Sequence, residues 1–212
     1  MSCILAIETA INSHSIALSY DGKIDTIKSA ELFKQSDNLF VHLNEILERN
    51  HIRYQDLDKI AVTVGPGSFT GIRIGIAAVR GIKKVMPQIE IVGYTTLELM
   101  AWQKKQEARQ QHNSMCLINA FASEFYQQEF DDNARAISDI KIVSQAHLAK
   151  HHYIALVRDN ELFVDGADIS FIEIDATTLL DKAILCLADA KEVGALYIKP
   201  PNIHGHNVLK HD

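Results

Sequence analysis

The sequence is sparing with the residues that bend or cross-link a chain. Its 212 residues include 10 glycines, 4 prolines, 3 cysteines and a single tryptophan. The cysteines, Cys3, Cys116 and Cys186, lie far apart and form no CxxC pair, so the spacing favours reduced thiols over a disulfide framework or a zinc site. A hydrophobic content of 47% and a charged content of 23% exclude a disordered chain, a coiled coil and a collagen-like fibre.

Long apolar runs and an excess of basic residues are also missing. No apolar stretch approaches the ~18 residues that span a bilayer, and no basic segment followed by an apolar run marks a secretory signal. We therefore expect a cytoplasmic protein with no membrane contact. With 21 Lys and Arg against 27 Asp and Glu, the formal charge is −6. Such a chain is a poor stand-alone binder of nucleic acid, because phosphate contacts supply most of that affinity.

The scarce glycines are concentrated in one place. Half of them, and one of the prolines, fall within a single stretch: Gly65, Pro66, Gly67, Gly71, Gly75 and Gly81. This stretch follows a β-branched run and precedes a helical pattern, so it needs special backbone at a strand-to-helix turn. Its GxGxxxG spacing differs from the dinucleotide fingerprint, and no Gly-Lys-Ser/Thr closes it, which excludes a Walker phosphate loop. Ser68 does not sit in a Gly-x-Ser-x-Gly nucleophile elbow either.

Apolar periodicity predicts an α/β architecture. Strands are expected at 3–7, 15–19, 23–29, 60–64, 89–93, 115–119, 124–130, 153–157 and 169–174. Helices are expected at about 37–50, 70–85, 95–110, 144–150 and 177–190. Asp21-Gly22 is a strong hairpin signal between the second and third strands. We interpret the chain as a first lobe at 1–111, a smaller second lobe at 112–198 and a poorly ordered tail at 199–212.

Three segments resemble the TsaB (YeaZ) family. They are Ile-Leu-Ala-Ile-Glu-Thr at 4–9, Ser-Ile-Ala-Leu at 15–18 and, above all, Gly-Pro-Gly-Ser-Phe-Thr-Gly-Ile-Arg-Ile-Gly-Ile at 65–76. The resemblance covers about residues 1–130, and Tyr-Ile-Lys at 197–199 is similar to the family's Tyr-Leu-Arg. TsaB is a bacterial subunit of the machinery that places threonylcarbamoyl on adenosine 37 of tRNA.

The resemblance implies a two-lobed fold of the actin, hexokinase and Hsp70 type, with ribonuclease H-like lobes and a reduced second lobe. It also implies a non-catalytic scaffold that pairs with the catalytic paralogue TsaD and is joined by the ATPase TsaE. The tRNAs concerned read codons that begin with A, and their contact with this chain would be indirect. ATP and metal are expected in the partner subunits and no cofactor in this one, and a homodimer is expected when the partner is absent.

In this family the two paralogues pair through first-lobe helices, here about 37–50 and 70–85. Small residues at helical intervals would let another helix come close. The residues expected at that surface are Leu39, Val41, His42, Leu43, Gly71, Arg73, Gly75, Ile76, Ala78, Val79 and Arg80. The same pattern is equally typical of a helix in the core of the lobe. The two arginines could face acids on a partner, tRNA phosphate or plain solvent.

In the superfamily, acids on the opening strands of both lobes coordinate Mg²⁺ around ATP, and a Gly-Gly turn holds the adenosine. Here Glu8 and Asn119 stand where Asp is usual, Phe121 replaces an Arg, and the second half has no Gly-Gly pair. We therefore predict a degenerate nucleotide or anion site and no metal. Its residues are Glu8, Thr9, Gly65, Gly67, Ser68 and Asn119.

Two other classes of protein stay open at this point. In an ATP-dependent kinase or ATPase of the same fold, Glu8, Thr9 and the glycine turn would hold phosphate and Mg²⁺. In a homodimeric structural protein, the small-residue helix would pair with itself. His147 and His151 have the i, i+4 spacing of metal ligands, but a solvated helix end is the favoured interpretation of this pair.

Overall fold

The computed structural model describes residues 2–11, 13–29, 35–107, 113–148, 151–159, 162–185 and 193–196. The elements of the first half are β1 (Ile4–Glu8), β2 (Ser15–Tyr20), β3 (Lys23–Lys28), α1 (Gln35–Arg49), β4 (Lys59–Gly65), α2 (Phe69–Val85), β5 (Glu90–Thr95) and α3 (Thr96–Glu107). Those of the second half are β6 (Ser114–Asn119), β7 (Glu124–Phe130), β8 (Lys141–Ser144), β9 (His152–Leu156), β10 (Asp168–Ile172) and α4 (Ala176–Leu185). The predicted tail at 199–212, the 197–199 segment and Cys186 lie outside the described residues.

The two halves build sheets of the same topology. The first sheet has the order β3-β2-β1-β4-β5 and the second the order β8-β7-β6-β9-β10. In each, the opening three strands run antiparallel, and the first of them pairs in parallel with the fourth, which pairs in parallel with the fifth. The predicted α/β fold with two lobes, each opening with antiparallel strands, is confirmed.

Local turn chemistry explains the hairpin between β2 and β3. Asp21 and Gly22 both adopt positive φ, +50° and +75°, which is the backbone of the tight hairpin turns that follow the twist of the strands. The strands then pair from Tyr20 opposite Lys23 to Ser15 opposite Lys28. The hairpin predicted from Asp-Gly is therefore confirmed.

The second half departs from the sequence prediction in one segment. The helix predicted at 144–150 is wrong over its described part, where β8 runs to Ser144 and only a 3-10 turn, Gln145–His147, follows. Between β8 and β10 the described residues contain two such turns, at Gln145–His147 and Val157–Asp159, and no counterpart of α1 or α2. The second lobe is smaller for this reason.

One face of the first sheet is covered by its own helices. α1 and α2 place apolar side chains against β1, β2 and β4, and the residues that the two helices bury there are Leu39, Leu43, Ile46, Leu47, Ile72, Ile76, Ala78, Val79 and Ile82. The i, i+3, i+4 spacing of these residues is the reason that both segments fold as helices with one buried face.

The inner faces of the two sheets share a core in which the halves exchange helices. α3 belongs to the first half but packs against strands of the second sheet, whereas α4 belongs to the second half and packs against β1, β2 and β4. The amide of Ala176 donates to Ser15 Oγ at 2.9 Å. Lys182 of α4 is buried, with its ammonium 5.4 Å from the ring of Tyr94 and 5.0 Å from that of Trp102.

Close approach of α2 to the end of β1 explains the glycine cluster. A Cβ added at Gly75 would overlap Thr9 Oγ1, and one added at Gly67 would overlap the carbonyl oxygen of Ala10. The amide of Ser68 donates to that same carbonyl at 2.6 Å. Glycine is therefore required at positions 67 and 75 because another group occupies the space of a side chain.

None of the helices that the structure describes combines the length and the apolar composition needed to cross a membrane.

We expect the Gly75→Ala substitution to lower the free energy of unfolding by about 1–3 kcal/mol, because a methyl group forces the helix away from Thr9. Gly81→Ala is the matched control on the same helix, since nothing lies within 4 Å of its added Cβ. That control should be neutral or stabilising by up to about 1 kcal/mol through helix propensity. Urea denaturation of both variants checks the difference, and equal effects would contradict it.

Candidate functional site

Polar groups line a cleft between the two sheets. The cleft encloses about 320 Å³ and lies where β1, β9 and β10 end. Its charged and histidine lining residues are Glu8, His14, Lys28, Arg158, Glu173 and Asp175. The carboxyl ends of parallel strands are the usual location of sites in open α/β sheets, so this cleft is where a ligand of the fold would be expected.

Glu8 ends β1 with its carboxylate turned onto the chain itself. Its Oε1 accepts from the amides of Ala10 at 2.6 Å and Ile11 at 3.1 Å, and the residue is buried. Burial raises the pKa of Glu8 from 4.5 to about 7, although the two amides and the charge of Arg158 oppose the rise. The carboxyl group is thus held by its own backbone rather than presented to a cation.

The glycine turn near Glu8 is also held by contacts within the chain. Ser68 caps α2, its Oγ accepting from the amide of Gly71 at 3.2 Å, while Gly67 contacts the carbonyl of Ala10. Thr9 Oγ1 faces Gly75 of α2 and has no hydrogen-bond partner in the described part of the chain. These groups pack against one another at the turn that joins β4 to α2.

Asn119 is not brought to the cleft wall. It is exposed at the end of β6, where its Oδ1 accepts from the amide of Phe121 at 2.7 Å and its own amide donates to Asp159 Oδ2 at 3.3 Å. Of the residues predicted for a degenerate site, Glu8, Thr9, Gly65, Gly67 and Ser68 lie together and Asn119 lies apart. Among the described residues, no group of three His, Cys, Asp or Glu side chains could hold a metal ion.

The residues present do not fit the Mg²⁺ and nucleotide that this fold type implies. The first acid, Glu8, is engaged by two amides, and the second position, Asn119, is an amide engaged by its own turn. A tight Mg²⁺ site needs several oxygen ligands arranged in an octahedron, whereas one oxygen of Glu8 is bound by two amides and Asn119 carries no charge.

Two polar links between the halves cross the cleft and were not found from the sequence. Arg158, just after β9, donates through Nη1 to the carbonyl of Ile11. Lys28 at the end of β3 forms an ion pair with Asp175, which also accepts from the amide of Thr177 at 2.7 Å. Burial raises the pKa of Asp175, but these bonds outweigh it and hold the pKa below its ordinary value.

The turn from β6 to β7 carries a strained backbone. Phe121, Ala122 and Ser123 all have positive φ, +64°, +55° and +59°, a region that residues other than glycine visit at a cost. The turn presents the Phe121 side chain to solvent, 77% exposed. Phe121 is the residue noted above in place of the family's Arg.

Most of the residues predicted to face a partner lie inside the first lobe. Those buried in the structure are Leu39, Leu43, Gly71, Gly75, Ile76, Ala78 and Val79. Burial in the chain's own core is what the alternative interpretation of a core helix predicted, and it prevents direct contact of these side chains with a partner. The prediction of a contact surface therefore rests on the exposed residues of the two helices.

The other four residues predicted to contact a partner are not buried, and each has a different environment. Val41 is 59% exposed on α1, and His42, half-buried, is hydrogen-bonded to His14. The guanidinium of Arg73 lies 3.7 Å from the ring centroid of Phe69, and Arg80 Nη2 donates to the carbonyl of Val193 at 2.7 Å.

Sequence reasoning missed two exposed aromatic residues on these helices. Phe40 of α1 is 48% exposed and Phe69 of α2 is 39% exposed. Phe40 precedes Val41, so α1 presents two adjacent large apolar side chains to solvent. The signal that would have found Phe40 is its place outside the i, i+3, i+4 pattern of the buried face.

Comparison with known proteins identifies the family. A family model described as "TsaD: tRNA N6-adenosine threonylcarbamoyltransferase" matches residues 33–186, well over half of the chain. The tRNA threonylcarbamoyladenosine biosynthesis protein TsaB of Escherichia coli is 30% identical over 137 residues, which cover 63% of this chain and 57% of that protein. The chain belongs to the TsaB (YeaZ) family. The resemblance seen in the sequence is thereby confirmed.

Other TsaB and YeaZ proteins agree with this assignment. The TsaB protein of Haemophilus influenzae is 29% identical over 125 residues, 58% of this chain and 51% of that protein. The match to these curated TsaB relatives thus spans only about half of their length. The structure of YeaZ from Pseudomonas aeruginosa superposes with a TM-score of 0.72 at 20% identity, covering 86% of this chain and 91% of that one, and supports the fold.

We expect the free energy of unfolding to depend on pH because Glu8 titrates at different pH values in the folded and unfolded chain. The folded chain keeps the proton of Glu8 up to about pH 7, whereas the unfolded chain releases it near 4.5, so the free energy of unfolding falls as pH rises between these values. Glu8→Gln keeps an oxygen for both amides and removes the charge. Relative to the wild type, it should gain on the order of 2 kcal/mol between pH 5 and pH 8.

Denaturation at both pH values measures this gain. Glu48→Gln is the control, because Glu48 is exposed on α1. A pH dependence that is the same in the wild type and in Glu8→Gln would contradict the titration of Glu8.

We expect Ser123→Gly to raise the free energy of unfolding by about 0.5–1 kcal/mol, because glycine adopts a φ of +59° without a steric cost. Ser144→Gly makes the same chemical change at a φ of −76° and should be destabilising by a similar amount. Thermal unfolding of both variants checks the sign, and a loss of stability in Ser123→Gly would contradict the strain at this turn.

Proposed function

We propose that this chain is a non-catalytic TsaB-type subunit that pairs with a TsaD-type paralogue and so supports threonylcarbamoylation of adenosine 37 in tRNA. The observation that carries the proposal is that the polar groups of the cleft are engaged within the chain itself. Glu8 is bound to its own backbone, and Arg158 and the pair of Lys28 with Asp175 link the two halves across the space where a nucleotide would enter. A chain of this family whose cleft groups bind one another rather than a ligand fits the role of a scaffold.

The names of the relatives support a role in tRNA threonylcarbamoylation. The curated relatives are tRNA threonylcarbamoyladenosine biosynthesis proteins, and the matching family model is that of the transferase. By this proposal, ATP and metal act in the partner subunits, TsaE joins the pair, and tRNA reaches this chain only through the assembly. The net charge of −6 agrees with indirect contact with tRNA, and the assembly would act in the cytoplasm.

The pairing surface consists of the exposed residues of α1 and α2. Phe40, Val41 and Phe69 are large apolar side chains at least 39% exposed, and aromatic and apolar anchors supply most of the binding energy of interfaces. An apolar surface of this kind also explains how the chain could form a homodimer when the partner is absent.

We expect Val41→Glu to weaken the affinity for the cognate TsaD paralogue by about 30-fold or more, because a charge replaces an apolar contact. Ile24→Glu on β3, where Ile24 is 52% exposed, is the control outside the surface and should bind like the wild type. Co-expression followed by size-exclusion chromatography and calorimetry measures both variants. Two separately eluting wild-type proteins at micromolar concentration would contradict the pairing.

The rival function, an ATP-dependent kinase or ATPase, makes the opposite prediction for nucleotide. We expect calorimetry with Mg-ATP to detect no tight binding by the isolated chain, because Glu8 and the glycine turn are already engaged. Mass spectrometry of tRNA nucleosides after depletion of the protein tests the process itself. Loss of threonylcarbamoyl-adenosine is the expected result, and an unchanged level would overturn the proposal.

A further inference from the structure

A pair of histidines joins α1 to the start of β2. His14 Nε2 and His42 Nδ1 are 2.7 Å apart, and the ring centroids are 4.9 Å apart at an interplanar angle of 43°. His14, immediately before β2, is only 1% exposed, whereas His42 is half-buried on α1. The contact is a hydrogen bond between two imidazole rings, one on the helix and one on the sheet.

The environment of the other ring nitrogen of His14, Nδ1, indicates which of the two histidines donates the hydrogen bond. Nδ1 is buried and has no hydrogen-bond partner among the described residues. A neutral imidazole carries one N–H, and leaving a buried N–H without an acceptor is costlier than leaving a lone pair. The favoured arrangement therefore places the proton of His14 on Nε2, from which it donates to His42 Nδ1. His42 is the acceptor in this arrangement.

Protonation of His42 removes that acceptor. With a proton on His42 Nδ1, two N–H groups face each other at 2.7 Å unless His14 moves its own proton to the unpartnered Nδ1. Burial, and then the neighbouring His42 ring, lower the pKa of His14 from 6.5 to about 4, so His14 itself resists a second proton. The hydrogen bond can therefore persist when either ring gains a proton only if the buried Nδ1 of His14 carries an N–H, and that N–H has no acceptor among the described residues.

The charged groups around the pair come from several elements. Those that line the cleft together with His14 are Glu8 of β1, Lys28 of β3, and Arg158, Glu173 and Asp175 of the second half. On α1, Glu45 follows His42 by three residues, and its Oε1 lies 3.7 Å from Arg49 Nη1. Lys28 is paired with Asp175, and the electrostatic influence on His14 comes from His42.

The other end of α1 has its own polar attachment. Arg49 Nε and Nη2 each contact the Asp25 carboxylate at 2.5 Å, and Asn50 Nδ2 donates to the same group at 2.6 Å. The histidine bond therefore holds the middle of α1, next to Val41, while Asp25 of β3 holds its carboxyl end. Val41 belongs to the pairing surface proposed above.

We propose that His42 is a positioning residue: its hydrogen bond to buried His14 sets α1 on the sheet, and proton uptake by the pair releases the helix and weakens pairing. This rests on the proposed function only for its effect on the partner. His42, predicted from the sequence as a partner contact, acts through the placement of its helix.

The first test uses the free chain and needs no partner. Hydrogen exchange followed by NMR at pH 7.5 should show amides of 39–47 opening about tenfold more readily in His42→Ala than in the wild type. His42→Asn places an amide oxygen near the position of Nδ1 and should restore most of the protection. His147→Gln, which removes an exposed histidine of the second half, is the matched control and should leave exchange unchanged.

The second test is the pH profile. After correction for intrinsic exchange, α1 of the wild type should open about tenfold more readily at pH 5 than at pH 7.5, because a proton gained by the pair leaves a buried N–H without an acceptor. His42→Asn cannot be protonated and should lose most of this dependence. A purely structural role would not produce this difference. Equal pH profiles, or unchanged α1 exchange in His42→Ala, would overturn the proposal.

Pairing with the TsaD-type paralogue gives an independent readout. The wild-type affinity should weaken about tenfold between pH 7.5 and pH 5.5, and that of His42→Asn should change much less. An absence of wild-type pairing at pH 7.5 would contradict the proposed function and leave the exchange tests decisive for the histidine pair. Normal pairing with equal pH profiles in the two proteins would overturn the effect on the partner alone.

Discussion

The close contact between the end of β1 and the start of α2 is the constraint on which the site depends. The carbonyl of Ala10 receives the amide of Ser68 and leaves no space for a side chain at Gly67. Gly75, two turns into the helix, allows α2 to lie on Thr9. Because the helix is held this near, the residues that a nucleotide-binding relative would offer to phosphate are occupied by the protein's own backbone.

The same contact explains the electrostatics of the cleft. The segment after β1 turns back sharply, so its amides at Ala10 and Ile11 point at Glu8. Burial raises the pKa of Glu8, and the two amide donors and the charge of Arg158 offset part of that rise. Arg158 extends across the cleft to the carbonyl of Ile11, so the same short turn contacts both lobes.

The sequence predicted the parts of the fold that depend on local patterns. Nine of the ten strands, the Asp-Gly hairpin and the helices at α1 to α4 follow from periodicity and turn chemistry. β8 was missed because a four-residue edge strand beside polar residues carries little periodic signal. Its last residue is the position at which a helix was predicted to begin.

The arrangement of the site was less predictable for a physical reason. Glu8 and the glycine turn were found because their chemistry is local, whereas Arg158 and His14 act on residues more than twenty-five positions away. Small residues at helical intervals cannot distinguish a helix that approaches a partner from one that approaches its own sheet.

The exchange of α3 and α4 between the halves has a consequence for synthesis. α4 covers β1, β2 and β4, so we expect the nascent first half to expose apolar surface of its sheet until the ribosome has translated that helix.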